Sequence, residues 1–197
     1  MTCLTNRLHD EKGISLIEIM VAVAIIGVLT SMAVIQIGAV RPGLEADGAM
    51  RVVMAQLNSA RELAISQRRQ VEVTFANGFW VRVTRHDLPN GTTVLSDVPF
   101  EGGVRFGLAP NVQDTPDGFG NNSAVNFGAA ATVMFNTEGM LVDNTGIPVN
   151  GTVFLLIPTG GGAGGSYQSG SFRAVTVLGA TGRVRGFRWN GGQWTRV

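Results

Sequence analysis

A single glutamate inside a long apolar segment is the residue of this chain best suited to chemistry. Glu18 is the only charged residue between Ile14 and Val40. A carboxylate at mid-depth in a membrane costs about 2.5–3.5 kcal/mol on insertion scales. Cleavage before Ile14 would create an α-amino group with a pKa of about 7.7–8.0, which is largely cationic at neutral pH. We therefore expect Glu18 to neutralise this amine on a neighbouring subunit and so set the register of an assembly; the alternative is a carboxylate that reaches the membrane interface.

The apolar segment that contains this glutamate is long enough to cross a membrane. A helix over the 27 residues from Ile14 to Val40 is about 40 Å long, against about 30 Å for a hydrocarbon core. The alternative, a buried core helix, rarely runs so far without a polar face. Arg7 and Lys12 precede the segment and Arg41 follows it, a weak bias toward a cytoplasmic amino end. The sequence therefore predicts a single membrane span.

The junction before the apolar segment carries a recognisable motif. It reads Gly13-Ile14-Ser15-Leu16-Ile17-Glu18, with a short hydrophilic stretch ahead of the glycine. This motif resembles the N-terminal motif of type IV pilins and type II secretion pseudopilins. The resemblance implies that prepilin peptidase cuts between Gly13 and Ile14 and that the same enzyme methylates the new amine on Ile14. Such families usually begin with Phe or Met, so Ile14 is a departure that keeps an apolar side chain.

The hydrophobic pattern changes twice after the apolar segment. Pro42-Gly43 predicts an interruption of the helix, and apolar residues at three- and four-residue spacing then predict an amphipathic helix up to residue 69. From Gln70 onward the period is two, and Ala76-Asn77-Gly78 predicts a hairpin turn. Region 109–128 is predicted to be a long irregular loop. Further strands are predicted at 92–95, 104–108, 132–135, 140–142, 152–157, 172–178, 183–189 and 193–197.

These patterns predict an α+β fold in which a long N-terminal helix packs on an antiparallel β-sheet domain. We expect a leader at 1–13, a transmembrane and assembly helix at 14–40, an amphipathic helix at 41–69 and a periplasmic β-rich domain at 70–197. Three further segments resemble the GspH/FimT branch of the pseudopilins. They are Ala60-Arg61-Glu62-Leu63-Ala64-Ile65, Phe135-Asn136-Thr137-Glu138-Gly139 and Thr181-Gly182-Arg183-Val184-Arg185.

Composition excludes several classes of protein and site. The 197 residues carry a formal net charge of +1 and are 15% charged, which excludes a strongly polybasic chain and an acidic disordered one. The one cysteine, Cys3, excludes an intrachain disulfide framework, and His9 and His86 leave little for a zinc site. No Ser/His/Asp or paired-carboxylate set stands out. The sequence therefore predicts no enzyme, no catalytic residues, no cofactor and no metal.

Two patterns in the soluble part resemble ligand sites, and both are better explained as turns. The glycine-rich stretch 160–170 lacks the Gly-Lys-Ser/Thr of a phosphate loop. It is predicted to be a flexible hairpin loop. Asp114, Asp117 and Asp143 match no EF-hand spacing. They are predicted to be turn residues.

The charges of the soluble part are unevenly distributed. Between residues 41 and 143 there are eight arginines and eleven acids, whereas from Asn144 to the end there are five arginines and no acid. This asymmetry leaves room for a basic face that the net charge conceals. Two of these arginines, Arg183 and Arg185, lie at alternate positions of one predicted strand.

The segment with these two arginines matches the "G-R-x-R" pattern of the GspH/FimT family. In FimT-like minor pilins associated with natural transformation the pattern is linked to DNA binding, so the resemblance implies this role for Arg183 and Arg185. Strict alternation would place Phe187 and Trp189 on the same face, as a stacking surface for single strands. The alternative is a bulge at Gly186 that sends both aromatic rings into the core while the arginines face water.

The resemblance implies a structural function: a minor pilin or pseudopilin of a type II secretion pseudopilus or type IV pilus. It implies that the chain sits in the bacterial inner membrane with its C-terminal domain in the periplasm. Its partners would be other pilins through the N-terminal helix, prepilin peptidase and the inner membrane. An alternative is a DNA-binding minor pilin for DNA uptake, with DNA as a further partner, and another is an unrelated single-pass periplasmic protein.

Overall fold

The computed structural model describes residues 13–128, 132–160 and 166–197. The predicted leader, apart from Gly13, and part of the glycine-rich stretch lie outside the described residues. Within them are one helix, α1 (Leu16–Gln67), and eleven strands. The chain divides into two units, 1–39 and 40–197, and each is described by itself.

The first unit contains the N-terminal part of α1. Ser15 precedes the helix, and its carbonyl accepts hydrogen bonds from the backbone N–H groups of Glu18 (3.0 Å) and Ile19 (3.3 Å). Serine is a preferred residue at this capping position. The hydroxyls of Thr30 and Ser31 each donate to a carbonyl of the preceding turn at 2.7 Å. These polar groups are thus satisfied inside the helix, which is what a hydrocarbon environment requires.

The helix does not stop at Pro42, so the predicted interruption is wrong. Proline removes one helical hydrogen bond and costs about 3 kcal/mol in a helix interior. Beyond Pro42, however, the helix is held to the rest of its unit, because Arg173 donates to the carbonyl of Gly43 at 3.1 Å and to Asp47 at 2.5 Å. A buried apolar stripe follows. It comprises Ala46, Ala49, Met50, Val53, Leu57, Ala60 and Ala64.

The end of α1 has a specific cap. Arg68 adopts a left-handed conformation with φ of 50°, and the N–H of Arg69 donates to the carbonyl of Ala64 at 3.2 Å. This is the hydrogen bond of a Schellman motif, in which glycine is the usual left-handed residue. The helix therefore ends at Gln67, slightly before the predicted 69.

Two antiparallel sheets build the second unit. The first has the strand order β3-β2-β1-β6-β7 and the second β11-β10-β9-β8-β4, with β5 also paired to β8. The first sheet comprises β1 (Val71–Ala76), β2 (Trp80–His86), β3 (Thr92–Pro99), β6 (Thr132–Phe135) and β7 (Leu141–Val142). The second comprises β4 (Arg105–Phe106), β5 (Val125–Asn126), β8 (Gly151–Leu156), β9 (Arg173–Leu178), β10 (Arg183–Trp189) and β11 (Trp194–Arg196). The helix-plus-antiparallel-sheet fold class is therefore confirmed.

Most predicted strands are present, with three differences. The predicted hairpin is confirmed, with Asn77 and Gly78 both at positive φ in its turn. Strand β3 continues to Pro99, beyond the predicted 95. The prediction ended too early because the polar residues Ser96 and Asp97 interrupt the apolar pattern of the strand. Strand β4 is only Arg105–Phe106. Strand β5 lies inside the predicted loop 109–128, where its two residues pair with β8 and are too few to show a period.

The core of the second unit lies between the α1 stripe and the facing sides of both sheets. Strand β8 is buried at all six positions, because Val153 and Leu155 face this core while Phe154 and Leu156 face the opposite side. On that opposite side lies a smaller group that we call the outer cluster. It comprises Ala109, Val112, Phe154, Leu156, Phe172, Ala174, Phe187 and Trp189.

Candidate functional site

The proposed processing junction lies immediately before the first helical turn. Gly13 and Ile14 are outside regular secondary structure and exposed, and the Ile14 side chain is 73% exposed. A side chain at Gly13 would meet no atom within 4 Å. On the C-terminal side of this peptide bond, which is the side that the structure describes, the chain is therefore exposed.

Glu18 occupies the first turn of α1 and is exposed. It lies four residues after Ile14, about 6 Å along a helix. Among the described residues it forms no ion pair. Its carboxylate lies near the positive end of the helix dipole, which favours a negative charge there. Because it has no ionic partner among the described residues, it is available to a cation from another molecule.

The segment after Glu18 exposes apolar side chains around the helix. Ile19, Met20, Val23 and Leu29 are each more than half exposed. By length and composition α1 can cross a membrane, with a mean hydropathy of 2.4 over its most apolar 18 residues. The arrangement brings a single carboxylate to the start of an otherwise apolar, unpartnered surface.

Three of the five C-terminal arginines pair with acids from the N-terminal part of the same unit. Asp47 on α1 accepts from buried Arg173 at 2.5 Å and from half-exposed Arg188 at 2.6 Å. Arg185 pairs with Asp117. These three arginines share two carboxylates, so two of the five C-terminal positive charges are balanced, and Arg183 and Arg196 have no acidic partner among the described residues.

Arg183 and Arg185 differ in their surroundings although both belong to β10. The Nη1 of Arg185 donates to Asp117, whose other oxygen accepts from the Thr176 hydroxyl at 2.6 Å. Arg183 is exposed and has no acidic partner among the described residues. Of the two predicted DNA-binding residues, Arg183 alone presents a free guanidinium.

The predicted bulge at Gly186 is wrong, but the burial of both aromatic rings that accompanied it in that alternative is confirmed, so the exposed stacking surface is wrong. Strands β9 and β10 pair without a register shift through Gly186 and Phe187, so alternation holds. Phe187 and Trp189 are nevertheless buried, 3% and 9% exposed, because the outer cluster covers this face. Gly186 faces the helix, where a Cβ would lie only 2.9 Å from the Met54 sulfur. The glycine serves close packing of the sheet on α1.

The three aspartates considered as ligands bind their own chain. Asp143 accepts hydrogen bonds from Thr145 and Ile147, chiefly the Thr145 hydroxyl, and these lower its pKa. Asp114 accepts from the N–H groups of Thr115 and Gly120. Within the described ranges no group of three or more His, Cys, Asp or Glu residues could hold a metal ion.

The three segments that resemble the GspH/FimT branch meet at one point. Arg61 on α1 donates from Nε to the carbonyl of Gly139 at 3.2 Å. A Cβ on Gly182 would lie 2.3 Å from that carbonyl and 2.7 Å from Arg61 Cδ. Gly139 and Gly182 both have positive φ, so glycine is required twice over, by conformation and by space. The glycine of "G-R-x-R" thus holds the β9–β10 turn against the helix.

A groove of about 460 Å³ lies beside this contact. Asn58 and Arg61 of α1 form one wall, and the turn residues Thr181, Gly182 and Arg183 form the other. We call it the Arg61–Arg183 groove. No pattern in the sequence predicts this groove, since Arg61 and Arg183 are far apart in the chain. Asp47 was missed for the same reason: its partner Arg173 is 126 residues away.

Comparison with known proteins identifies the N-terminal region. The family described as prokaryotic N-terminal methylation motif matches residues 8–34. The type IV minor pilin FimU of Pseudomonas aeruginosa (strain PAO1) is a similar solved structure, with 18% identity and a TM-score of 0.45 over 71% of this chain and 86% of that one. None of the curated proteins matches the chain. The chain therefore combines a prokaryotic N-terminal methylation motif with a fold of one long N-terminal helix and antiparallel sheets.

Proposed function

We propose that this chain is a minor pilin or pseudopilin, a structural subunit of a type IV pilus or a type II secretion pseudopilus. The observation that carries the proposal is the apolar, exposed first part of α1 with Glu18 in its first turn. This segment lies inside the matched methylation motif. An apolar surface of this extent needs lipid or other helices to cover it.

The chemistry of the junction follows from its residues. Removal of residues 1–13 would leave a cationic amine on Ile14, and its methylation would keep that charge. Stacked helices would then place the Glu18 carboxylate of one subunit against the amine of the next. Such a pair is much more favourable than an isolated carboxylate in an apolar bundle. In this proposal the subunit is held in the inner membrane, with residues 40–197 on the periplasmic side, until assembly withdraws it.

Mass spectrometry of the mature chain tests the proposal. We expect a first residue of Ile14 that carries one methyl group. Gly13→Asp should leave the leader attached, whereas Gly27→Ala, also at an exposed glycine with no atom within 4 Å of the added Cβ, should be processed normally. A mature chain that starts elsewhere, or one that Gly13→Asp leaves processed, contradicts the proposal.

A second candidate function is DNA capture, and exposed Arg183 is the observation that favours it. Counterion release predicts a log–log salt slope of about −0.9 for each phosphate neutralised on duplex DNA. Arg183→Gln should then reduce the slope by about one such step. Arg185→Gln should have a smaller effect, since its guanidinium is already held by Asp117. Absence of binding at low salt rejects this function.

A further inference from the structure

Two exposed charged features of the second unit lie on different flanks of α1. One is the Arg61–Arg183 groove. The other is the turn Glu101-Gly102-Gly103, all three residues of which are exposed; we call it the acidic tip. Among the described residues neither Glu101 nor Arg183 forms an ion pair. Each is therefore a charge without an ionic partner among the described residues of its unit.

Contacts with the helix fix the flank on which each feature lies. A Cβ on Gly102 would lie 2.4 Å from the Glu45 side chain, so the acidic tip sits over Glu45. The groove sits over Arg61, which touches Gly182. Glu45 and Arg61 are separated by about 160° around a helix and by about 24 Å along it. The two features thus lie on nearly opposite sides of α1 and at different positions along its axis.

We propose that the acidic tip of one copy of this chain docks into the Arg61–Arg183 groove of a second copy, with the Glu101 carboxylate on the Arg183 guanidinium. The charges are complementary, and arginine can hold a carboxylate with two parallel hydrogen bonds. Exposed Gly102 and Gly103 carry no side chain that would keep the tip out of the groove.

The proposed contact joins two different surfaces, so it is heterologous. A heterologous contact leaves one free groove and one free tip on every pair, and it propagates as an open chain where the rotation does not close. The axial offset between the two features gives each added copy a rise along the helix direction. This inference rests on the proposed function and deepens it, because it names the surface through which the globular parts meet.

Thiol crosslinking in assembled fibres of the full chain, where copies are offset along the helix direction, tests the contact. In a Cys3→Ser background the chain has no other cysteine, so Gly103→Cys combined with Thr181→Cys places one thiol on the exposed acidic tip and one on the groove wall and leaves Glu101 and Arg183 in place. A short bifunctional thiol reagent should give a ladder of multimers. Either single variant alone should stay monomeric, and a mixture of the two should stop at dimers. Multimers from a single variant, or no ladder from the double variant, overturn the proposal.

Charge reversal provides an independent measurement, read by a photo-activated crosslinker that needs neither a cysteine nor a lysine, since the one lysine, Lys12, lies in the predicted leader. Glu101→Arg and Arg183→Glu should each reduce the multimers by about tenfold or more, since they place like charges together. The double reversal should restore them. Glu62→Arg is the matched control, because it reverses an exposed acid outside both features. Equal loss with Glu62→Arg, or no rescue in the double variant, overturns the contact.

The remaining outcomes separate this inference from the proposed function. Processing at Ile14 without any ladder rejects the docking contact and leaves the pilin proposal standing. A ladder on a chain that is never processed supports the contact and rejects the pilin proposal. A crosslink to a different protein in place of the ladder overturns self-docking. If Arg183→Glu removes DNA binding and leaves the multimers unchanged, the groove is a nucleic-acid site and the docking contact is rejected.

Discussion

The two halves of α1 are both rich in apolar residues, yet they meet different surroundings. In the first half the apolar side chains are exposed, and the only acid, Glu18, has no ionic partner among the described residues. In the second half a stripe that includes Leu57 is fully buried, and Asp47 accepts from Arg173 and Arg188. The apolar and charged side chains of the second half therefore find their contacts within the same chain. The first half requires contacts from outside it.

The largest effect should come from the buried side of the Asp47 cluster. Arg173→Gln leaves Asp47, 15% exposed, and the carbonyl of Gly43 without their main donor, and breaking a buried pair costs about 3–5 kcal/mol. Arg188→Gln removes a half-exposed partner of the same carboxylate and should cost about 1 kcal/mol or less. Urea unfolding of the full chain in detergent measures both. Equal losses would show that burial does not distinguish the two arginines.

Leucine truncation in each half compares the two surfaces directly. Leu57→Ala opens a cavity at a fully buried position and should reduce the free energy of unfolding of residues 40–197 by about 2–5 kcal/mol. Leu29→Ala truncates a side chain that is 61% exposed and should leave it unchanged. Tryptophan fluorescence during unfolding reports on this unit, because Trp80, Trp189 and Trp194 all belong to it. A large effect of Leu29→Ala would place the first half inside the folded core.

Neutralising the acid of the first half should affect assembly rather than folding. Glu18→Gln removes one member of a charge-assisted hydrogen bond, worth about 1.5–3 kcal/mol, so incorporation into assembled fibres should fall by about tenfold to a hundredfold. The unfolding of residues 40–197 should not change. Gln36→Ala, a polar substitution in the same exposed segment, is the control. Normal incorporation of Glu18→Gln would mean that the acid has no partner in the assembly.

The same contrast explains which features the sequence could predict. The apolar segment, the methylation motif at residues 8–34 and the hairpin at Asn77-Gly78 depend on neighbouring residues, so their patterns are visible in the sequence. Continuation of α1 through Pro42 depends on Arg173, and the unbroken alternation of β10 through Gly186 depends on its pairing with β9 and its close packing on α1. The pairing of Arg185 with Asp117 is equally non-local. Local propensity is outweighed at these positions by contacts that no window of the sequence contains.

The smallest effect concerns an exposed acid that, unlike Glu18, is satisfied by its own turn. The Thr145 hydroxyl, and after it the Ile147 N–H, lower the pKa of Asp143 in the folded chain. A lowered folded-state pKa means that Asp143 contributes its stability above its unfolded pKa of about 3.9 and loses it as the pH falls through the folded value. Asp143→Asn should therefore make the acid-induced loss of stability shallower.

Acid titration of the unfolding free energy, from pH 6 downward, measures this difference. Glu62→Gln removes an exposed carboxylate that makes no hydrogen bond within the described part of the chain, and it serves as the matched control. An unchanged slope in Asp143→Asn would mean that the turn 143–147 keeps the same protonation behaviour folded and unfolded. A shallower slope in Asp143→Asn alone would show that an acid held by donors of its own turn stabilises the fold. Glu18 accepts no such hydrogen bond from the described side chains, so we expect it to contribute to assembly and not to folding.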